Sequence, residues 1–288
     1  MERILSKTHV VLSRIALSPC PQDPAHPKNV AMSEIFNPDK EKEFLNGLVQ
    51  DYTDSSPYSE VKKELIVQKM LAAISGRKGR GLQFGCANGY ETDRLALHMG
   101  SLDVVDGSSI FIERLQRERQ HASNVHFHLA LFEEYDHQRT GRTYDYVACN
   151  YVLEHVFDTA HILSNIAGML AADGLVFITV PNAMALSRRL AKEMGLVDSL
   201  FDLTPNDHKH GHRRTYTVES LREEVTAAGF RIVQESGIVF KILADFQLNR
   251  LLRDGFLTPE HIHGLQRLAE VDGNAHFADS IFMVLGRG

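Results

Sequence analysis

The sequence predicts an α/β fold, a mostly parallel sheet with helices on both faces. Short apolar runs recur at 81–85, 102–106, 125–129, 144–149 and 174–180. Amphipathic segments of helical spacing fill the intervals at 90–99, 108–120, 159–171 and 183–194. Strands that alternate with helices pair in parallel, because each helix carries the chain back across a sheet face. A glycine-bearing turn, Gly85-Cys86-Ala87-Asn88-Gly89, joins the first such strand to its helix.

The elements follow in order. Residues 19–31 hold four of the nine prolines and read as a linker ending an N-terminal extension over 1–35. Arg14 breaks the apolar stretch around Val10-Val11-Leu12, so a cleaved secretion signal is not expected there. Asn37-Pro38-Asp39 opens a charged helix near 39–50, with Phe44, Leu45 and Leu48 on one face. After the polar turn at 51–58 comes a second helix carrying Val61, Leu65, Ile66 and Met70. These two helices make a lid over 36–76, and residues 77–288 make the main domain. A polar, histidine-rich insertion at 197–214 interrupts the alternation. A helix at 217–228 stops at Gly229. Strands at 231–240 and 281–285 close the sheet, with a mostly helical insertion, 241–278, between them.

Composition narrows the partners. The chain has 288 residues, 43% of them hydrophobic, enough for a sizeable core. Its net charge is −6, which gives no support to a polyanionic partner such as RNA or DNA. The three cysteines, Cys20, Cys86 and Cys149, form no C-x-x-C pair, which fits a reduced, cytoplasmic setting. No run of about 18 apolar residues suggests a membrane span. The expected partners are a small-molecule substrate and, for assembly, a second copy of the chain, with no nucleic acid and no membrane.

The first motif carries most of the chemistry. Leu82-Gln83-Phe84 runs into the Gly85–Gly89 turn, and the next strand ends in Val104-Val105-Asp106, 21 residues after Gly85. That is the pattern of a nucleoside-binding βαβ unit. The glycines allow positive φ and close approach of a ligand to the backbone. An acid ending the second strand can accept hydrogen bonds from both ribose hydroxyls, which assigns Asp106 that role. The spacing is not G-x-G-x-x-G, so the turn lacks the cradle that a pyrophosphate needs.

Four segments in order resemble the class I S-adenosylmethionine (SAM)-dependent methyltransferases, specifically the branch with the ubiquinone-type O-methyltransferases. They are the Gly85–Gly89 turn, Tyr144-Asp145-Tyr146-Val147 … Leu153-Glu154-His155-Val156, Gly174–Asn182, and His212-Arg213-Arg214-Thr215-Tyr216-Thr217 … Ala227-Ala228-Gly229-Phe230. The resemblance covers roughly residues 60–240. It implies the Rossmann-like methyltransferase fold, a seven-stranded, mostly parallel sheet, with SAM as cofactor. Two positions depart from the first motif: Gln83 replaces the usual acid, and Ala87 the middle glycine. Gln83 can hydrogen-bond but brings no negative charge to a cationic ligand.

The resemblance also distributes roles. Gln83, Gly85, Asn88 and Gly89 line the cofactor loop, with Asp106, Gly107 and Ser108 on the ribose side. Leu131 and Phe132 cover the adenine. Asn150, ending the fourth strand, faces the methionine part, with Val152 and His155 nearby. Tyr58 and Tyr52 come from the lid, where an aromatic face attracts a sulfonium. Asn150, Tyr52 and His212 are the catalytic candidates, and His212 is the general base, because its ordinary pKa suits that work. Arg213 or Arg214 could grip a substrate carboxylate with both nitrogens.

No metal is expected. Some members of the branch hold a divalent cation with a Glu-His pair and a further carboxylate, but here the residue three before His155 is Val152. Glu154 and His155 alone make a poor site for a hard cation. The alternating His208, His210 and His212 fall in a glycine- and lysine-bearing loop that reads as a substrate gate.

The reaction expected is methyl transfer to an O, N or C nucleophile of a small molecule of secondary-metabolite type. The azetidine-forming SAM cyclases resemble the same motifs. They define the alternative, in which the SAM amine attacks its own γ-carbon and releases methylthioadenosine.

Overall fold

The computed structural model describes residues 37–52, 56–118 and 123–288, without the side chains of 50–52. The predicted extension 1–35 and the Tyr52 side chain lie outside these residues.

Seven strands form one sheet: β1 (Arg80–Phe84), β2 (Ser101–Asp106), β3 (Val125–Leu129), β4 (Tyr144–Asn150), β5 (Leu170–Pro181), β6 (Phe230–Ile238) and β7 (Ser280–Arg287). Their order across the sheet is β3-β2-β1-β4-β5-β7-β6. The pairs from β3 to β5 are parallel, and β7 runs antiparallel to both β5 and β6. Strand order reverses between β1 and β4, so a crevice opens at their carboxyl ends.

Helices cover both faces, as the alternation predicts. On one face α2 (Pro57–Ile74), α3 (Tyr90–His98), α4 (Ser109–Glu118), α10 (Asp245–Arg253) and α11 (Pro259–Ala269) bury Leu65, Leu95, Phe111, Leu248 and Ile262 against Ala148, Phe177 and Phe282. On the other, α6 (Thr159–Met169) and α9 (Val218–Ala227) bury Ile162, Ile166, Leu221 and Val225 against Val147, Ile178 and Met283. Each such side chain contributes roughly 1.5–3 kcal/mol by leaving water. The remaining short helices are α5 (His137–Thr140), α7 (Leu186–Glu193) and α8 (Pro205–Lys209). Among the described residues, no helix is long and apolar enough to cross a membrane.

The two N-terminal helices do different things. α1 (Pro38–Tyr52) lies over the carboxyl edge of the sheet: Leu45 comes against Gly107, and Asn46 Oδ1 accepts from Ser108 Oγ at 2.7 Å. α2 is a layer helix instead, with Tyr58, Leu65, Ile66, Val67, Met70 and Ile74 all buried. Ser56 caps its start, Pro57 occupies its first turn, and Ser75 at φ 54° ends it. Of the predicted lid over 36–76, α1 lies against Gly107 and Ser108 at the carboxyl edge and α2 belongs to the core. The apolar residues of α2 bury only by packing on the sheet.

Two boundaries move. α7 begins at Leu186, not 183, because Asn182 Oδ1 accepts the Met184 N–H (2.9 Å) and holds residues 182–185 in a turn. β5 begins at Leu170, because that residue leaves α6 to pair with Tyr144 and bury in the core.

Candidate active site

The Gly85–Gly89 turn leaves β1 with Gly85 at φ 78°, Ala87 at 42° and Gly89 at 76°. Gly89 is also the N-cap of α3. Gln83 braces this turn from below. Its amide nitrogen donates to the Gly85 carbonyl (2.9 Å), and its oxygen accepts from Thr92 Oγ1 (2.9 Å). Both ends of the Gln83 amide are therefore engaged, one by the loop and one by α3.

Asp106 ends β2 beside the turn. Its Oδ2 accepts the Cys86 N–H (2.9 Å) and the Cys86 thiol (3.3 Å), and its Oδ1 accepts the Ser108 N–H (2.8 Å). Burial raises its pKa against these donors. Burial likewise keeps the Cys86 and Cys149 thiols protonated. Gly107 is needed here for close packing. A Cβ on it would lie 2.5 Å from Leu45 and 2.9 Å from Leu131. Leu131 is thus buried below α1, while Phe132 and Val152 flank Gly85.

Asn150 ends β4 across the crevice. Its Oδ1 accepts from Thr179 Oγ1 (2.6 Å), and its Nδ2 lies 3.1 Å from Glu91 Oε2 and 3.3 Å from the Met70 sulfur. Burial pushes the Glu91 carboxyl up to about 7, although Asn150 and the Lys63 charge pull it down. The next residue, Tyr151, has φ 55°, a strained conformation for an aromatic residue. Lys63 Nζ reaches Asn88 Oδ1 at 3.5 Å.

Tyr58 is placed away from this loop. It is fully buried, and its hydroxyl donates to Asp279 Oδ2 at 3.2 Å. Lys62 (3.2 Å) and Lys241 (2.8 Å) pair with the same carboxylate, and both ammoniums lie over the Tyr58 ring, at 5.4 and 5.7 Å. The two lysines hold Asp279 well below the usual carboxylate range. The network joins α2 to the start of β7.

The insertion supplies a third group. His212 Nδ1 lies 3.0 Å from Asp207 Oδ1, and its ring meets that of His155 edge-on at 4.8 Å. Glu154, His155 and His212 each offer a ligand atom within 4.8 Å of the others. Among the described residues the buried Glu154 carboxylate has no hydrogen-bond partner on either oxygen, and burial pushes it up to about 7. Burial lowers His155 to about 3. The sequence offers only the adjacent Glu154 and His155; the fold adds His212 from 57 residues further on. Two imidazoles and one carboxylate suit a borderline metal better than a hard cation. The alternation of His208, His210 and His212 does not make one face, because α8 coils its first part.

The two arginines are structural. Arg213 grips Glu41 of α1 through both oxygens (2.8 and 2.9 Å) and stacks on Phe157 at 3.7 Å. Arg214 donates to the carbonyls of Leu153, Val156 and Phe157. Neither guanidinium is left for a substrate carboxylate. Together they tie the insertion to the turn after β4, and Arg213 ties it to α1.

A seven-stranded sheet of this order, with a glycine turn and a strand-end acid at its switch point, defines a Rossmann-like methyltransferase fold. The family model described as "Methyltransferase domain" matches residues 59–235, and the chain belongs to this family of SAM-dependent transferases. It is similar to the ubiquinone biosynthesis O-methyltransferase of Aeromonas salmonicida, 28% identical over 192 residues, 63% of this chain and 77% of that one. The corresponding protein of Rhizobium leguminosarum bv. trifolii is 25% identical over 170 residues, and the chain spans 64% of its length. Among solved structures, magnesium protoporphyrin IX methyltransferase of Synechocystis, with bound S-adenosylhomocysteine, has a TM-score of 0.57 at 15% identity, covering 88% of this chain and 100% of that one. The 1,6-didemethyltoxoflavin-N1-methyltransferase of Burkholderia thailandensis gives 0.55 at 17%, covering 88% and 91%. At these identities the likeness is one of fold.

Sequence reasoning gathers Gly85, Asn88, Gly89, Asp106, Gly107, Ser108, Phe132, Asn150 and Val152 at the carboxyl edge, where the structure has them. Glu91 and Asp279 carry no such signal in the sequence. An acid in a first helical turn reads as a dipole partner, and Asp279 stands in no motif.

Proposed function

We propose that this chain transfers a methyl group from SAM to a small molecule. Asp106 carries the reading: a buried strand-end acid between the Gly85 turn and Gly107, placed to bond two ribose hydroxyls. The residues fit that cofactor at both ends. Phe132, with Leu131 buried beside it, is the apolar group for the adenine, and Asn150 stands at the methionine end with Val152 nearby. When bound, SAM supplies the activated methyl carbon. The protein then has to align the acceptor and exclude water, and positioning is worth ~7–11 kcal/mol in such reactions.

The Asp207–His212 pair favours a hydroxyl acceptor. Asp207 orients the imidazole through Nδ1, leaving Nε2 to take the proton of an acceptor hydroxyl, to which bound SAM would supply the methyl group. The curated relatives named as O-methyltransferases support the same choice. α1 and the 205–214 segment, joined by Glu41–Arg213, are the cover that keeps water out.

A second reading is favoured by Glu91 beside Asn150. A carboxyl near pKa 7 could accept the ammonium proton of SAM, freeing its amine to attack its own γ-carbon. Azetidine-2-carboxylate would form and methylthioadenosine would leave.

Mass spectrometry after incubation with SAM, with and without a panel of small phenols and amines, tests both readings. Acceptor-dependent S-adenosylhomocysteine and a methylated acceptor are expected. Methylthioadenosine and a cyclic C4 amino acid from SAM alone would overturn methyl transfer in favour of the cyclase. In either case Asp106→Ala should weaken S-adenosylhomocysteine binding on the order of 100-fold, the loss of two charge-assisted hydrogen bonds.

A further inference from the structure

Position 83, where the resembling family carries an acid, is Gln83, and its amide is engaged with Gly85 and Thr92. The cofactor nonetheless brings two positive groups, a sulfonium and an α-ammonium, against one α-carboxylate. Asp106 is at the ribose end. Some other acid has to answer the charge at the amino-acid end.

Glu91 has the required position. It follows the Gly85–Gly89 turn by two residues, in the first turn of α3, and its Oε2 lies 3.1 Å from Asn150 at the end of β4. It therefore spans the crevice between the two strands that flank the switch point. Its carboxylate is in no ion pair among the described residues and is bonded by a neutral amide. A desolvated carboxylate held by a neutral amide and no direct ion pair is unfavourable, and a bound ammonium would relieve it. Lys63 stands on the same turn through Asn88, and its charge is felt at Glu91. Asp106, Glu91 and Lys63 sum to −1, the complement of a cofactor of charge +1.

We propose that Glu91 takes over the missing charge of position 83 and pairs with the α-ammonium of the cofactor, while Lys63 pairs with its α-carboxylate and Asn150 holds Glu91 in place. The site recognises an α-amino acid zwitterion attached to the nucleoside. The inference rests on the SAM-binding reading above and holds for methyl transfer and cyclisation alike.

The test compares two ligands that differ at this end. S-adenosylhomocysteine carries the amino acid, and methylthioadenosine lacks it. Calorimetry at pH 8 should show Glu91→Gln binding S-adenosylhomocysteine about 10- to 100-fold more weakly than the parent, the range of one charge-assisted bond. Methylthioadenosine binding should change less than about threefold, which also shows that the variant folds. Lys63→Met should behave in the same way. Unchanged S-adenosylhomocysteine binding, or equal losses for both ligands, would overturn the proposal. If the parent protein binds neither ligand, the SAM-binding reading itself falls, and this inference with it.

Discussion

Arg213 closes on Glu41 through both carboxylate oxygens, at 2.8 and 2.9 Å, although 172 residues separate them. The pair joins the insertion to α1, and Gly211 packs against Phe44 and Leu48 of the same helix. At φ 79° the backbone of Gly211 favours glycine, and a Cβ there would come within 3.0 Å of both side chains.

Opening this clasp should loosen the cover without unfolding the domain. Arg213→Ala removes a partly exposed pair, one guanidinium nitrogen on both Glu41 oxygens, worth about 1 kcal/mol. Hydrogen exchange should quicken over residues 38–49 and stay unchanged over α2. The effect should shrink at 1 M salt, where exposed charges are screened. Equal acceleration in both helices would contradict the separation of α1 from α2.

Glu91 should make stability depend on pH. Its folded pKa is about 7, against an ordinary 4.5. As pH rises, the unfolded chain releases this proton first. The contribution is present below about pH 4.5, is lost between 4.5 and 7, and is then constant. The span is about 3 kcal/mol. Glu91→Gln should match the parent in urea denaturation near pH 5 and exceed it at pH 8. A gap that does not change between those pH values would refute the assignment.

Asp279→Asn should be costly. The substitution leaves Lys62 and Lys241, both largely buried, without their shared carboxylate. Loss of one partner of a buried pair costs about 3–5 kcal/mol, here reduced because Asp245 remains 2.9 Å from Lys241. Thermal melting should fall sharply, and the double variant Lys62→Met, Asp279→Asn should recover part of the loss. A melting point unchanged in the single variant would show that the network is not stabilising.

Local patterns determined the elements. Apolar periodicity, the Gly85–Gly89 turn, the 21-residue step to Asp106 and the Gly229 stop are all written within a few turns of chain. They place the glycine turn, the strand-end acid and the order of helices and strands, because propensity, turn chemistry and burial of one face act over short distances. Only the tertiary structure decided which polar groups meet. It set Arg213 on Glu41 instead of a substrate, brought His212 to Glu154 and His155, buried Tyr58 on Asp279 across 221 residues, and put Glu91 beside Asn150. Such pairings leave no periodic trace in sequence. They follow from how helices dock on the sheet, and from the cost of burying a charge or polar group without a partner.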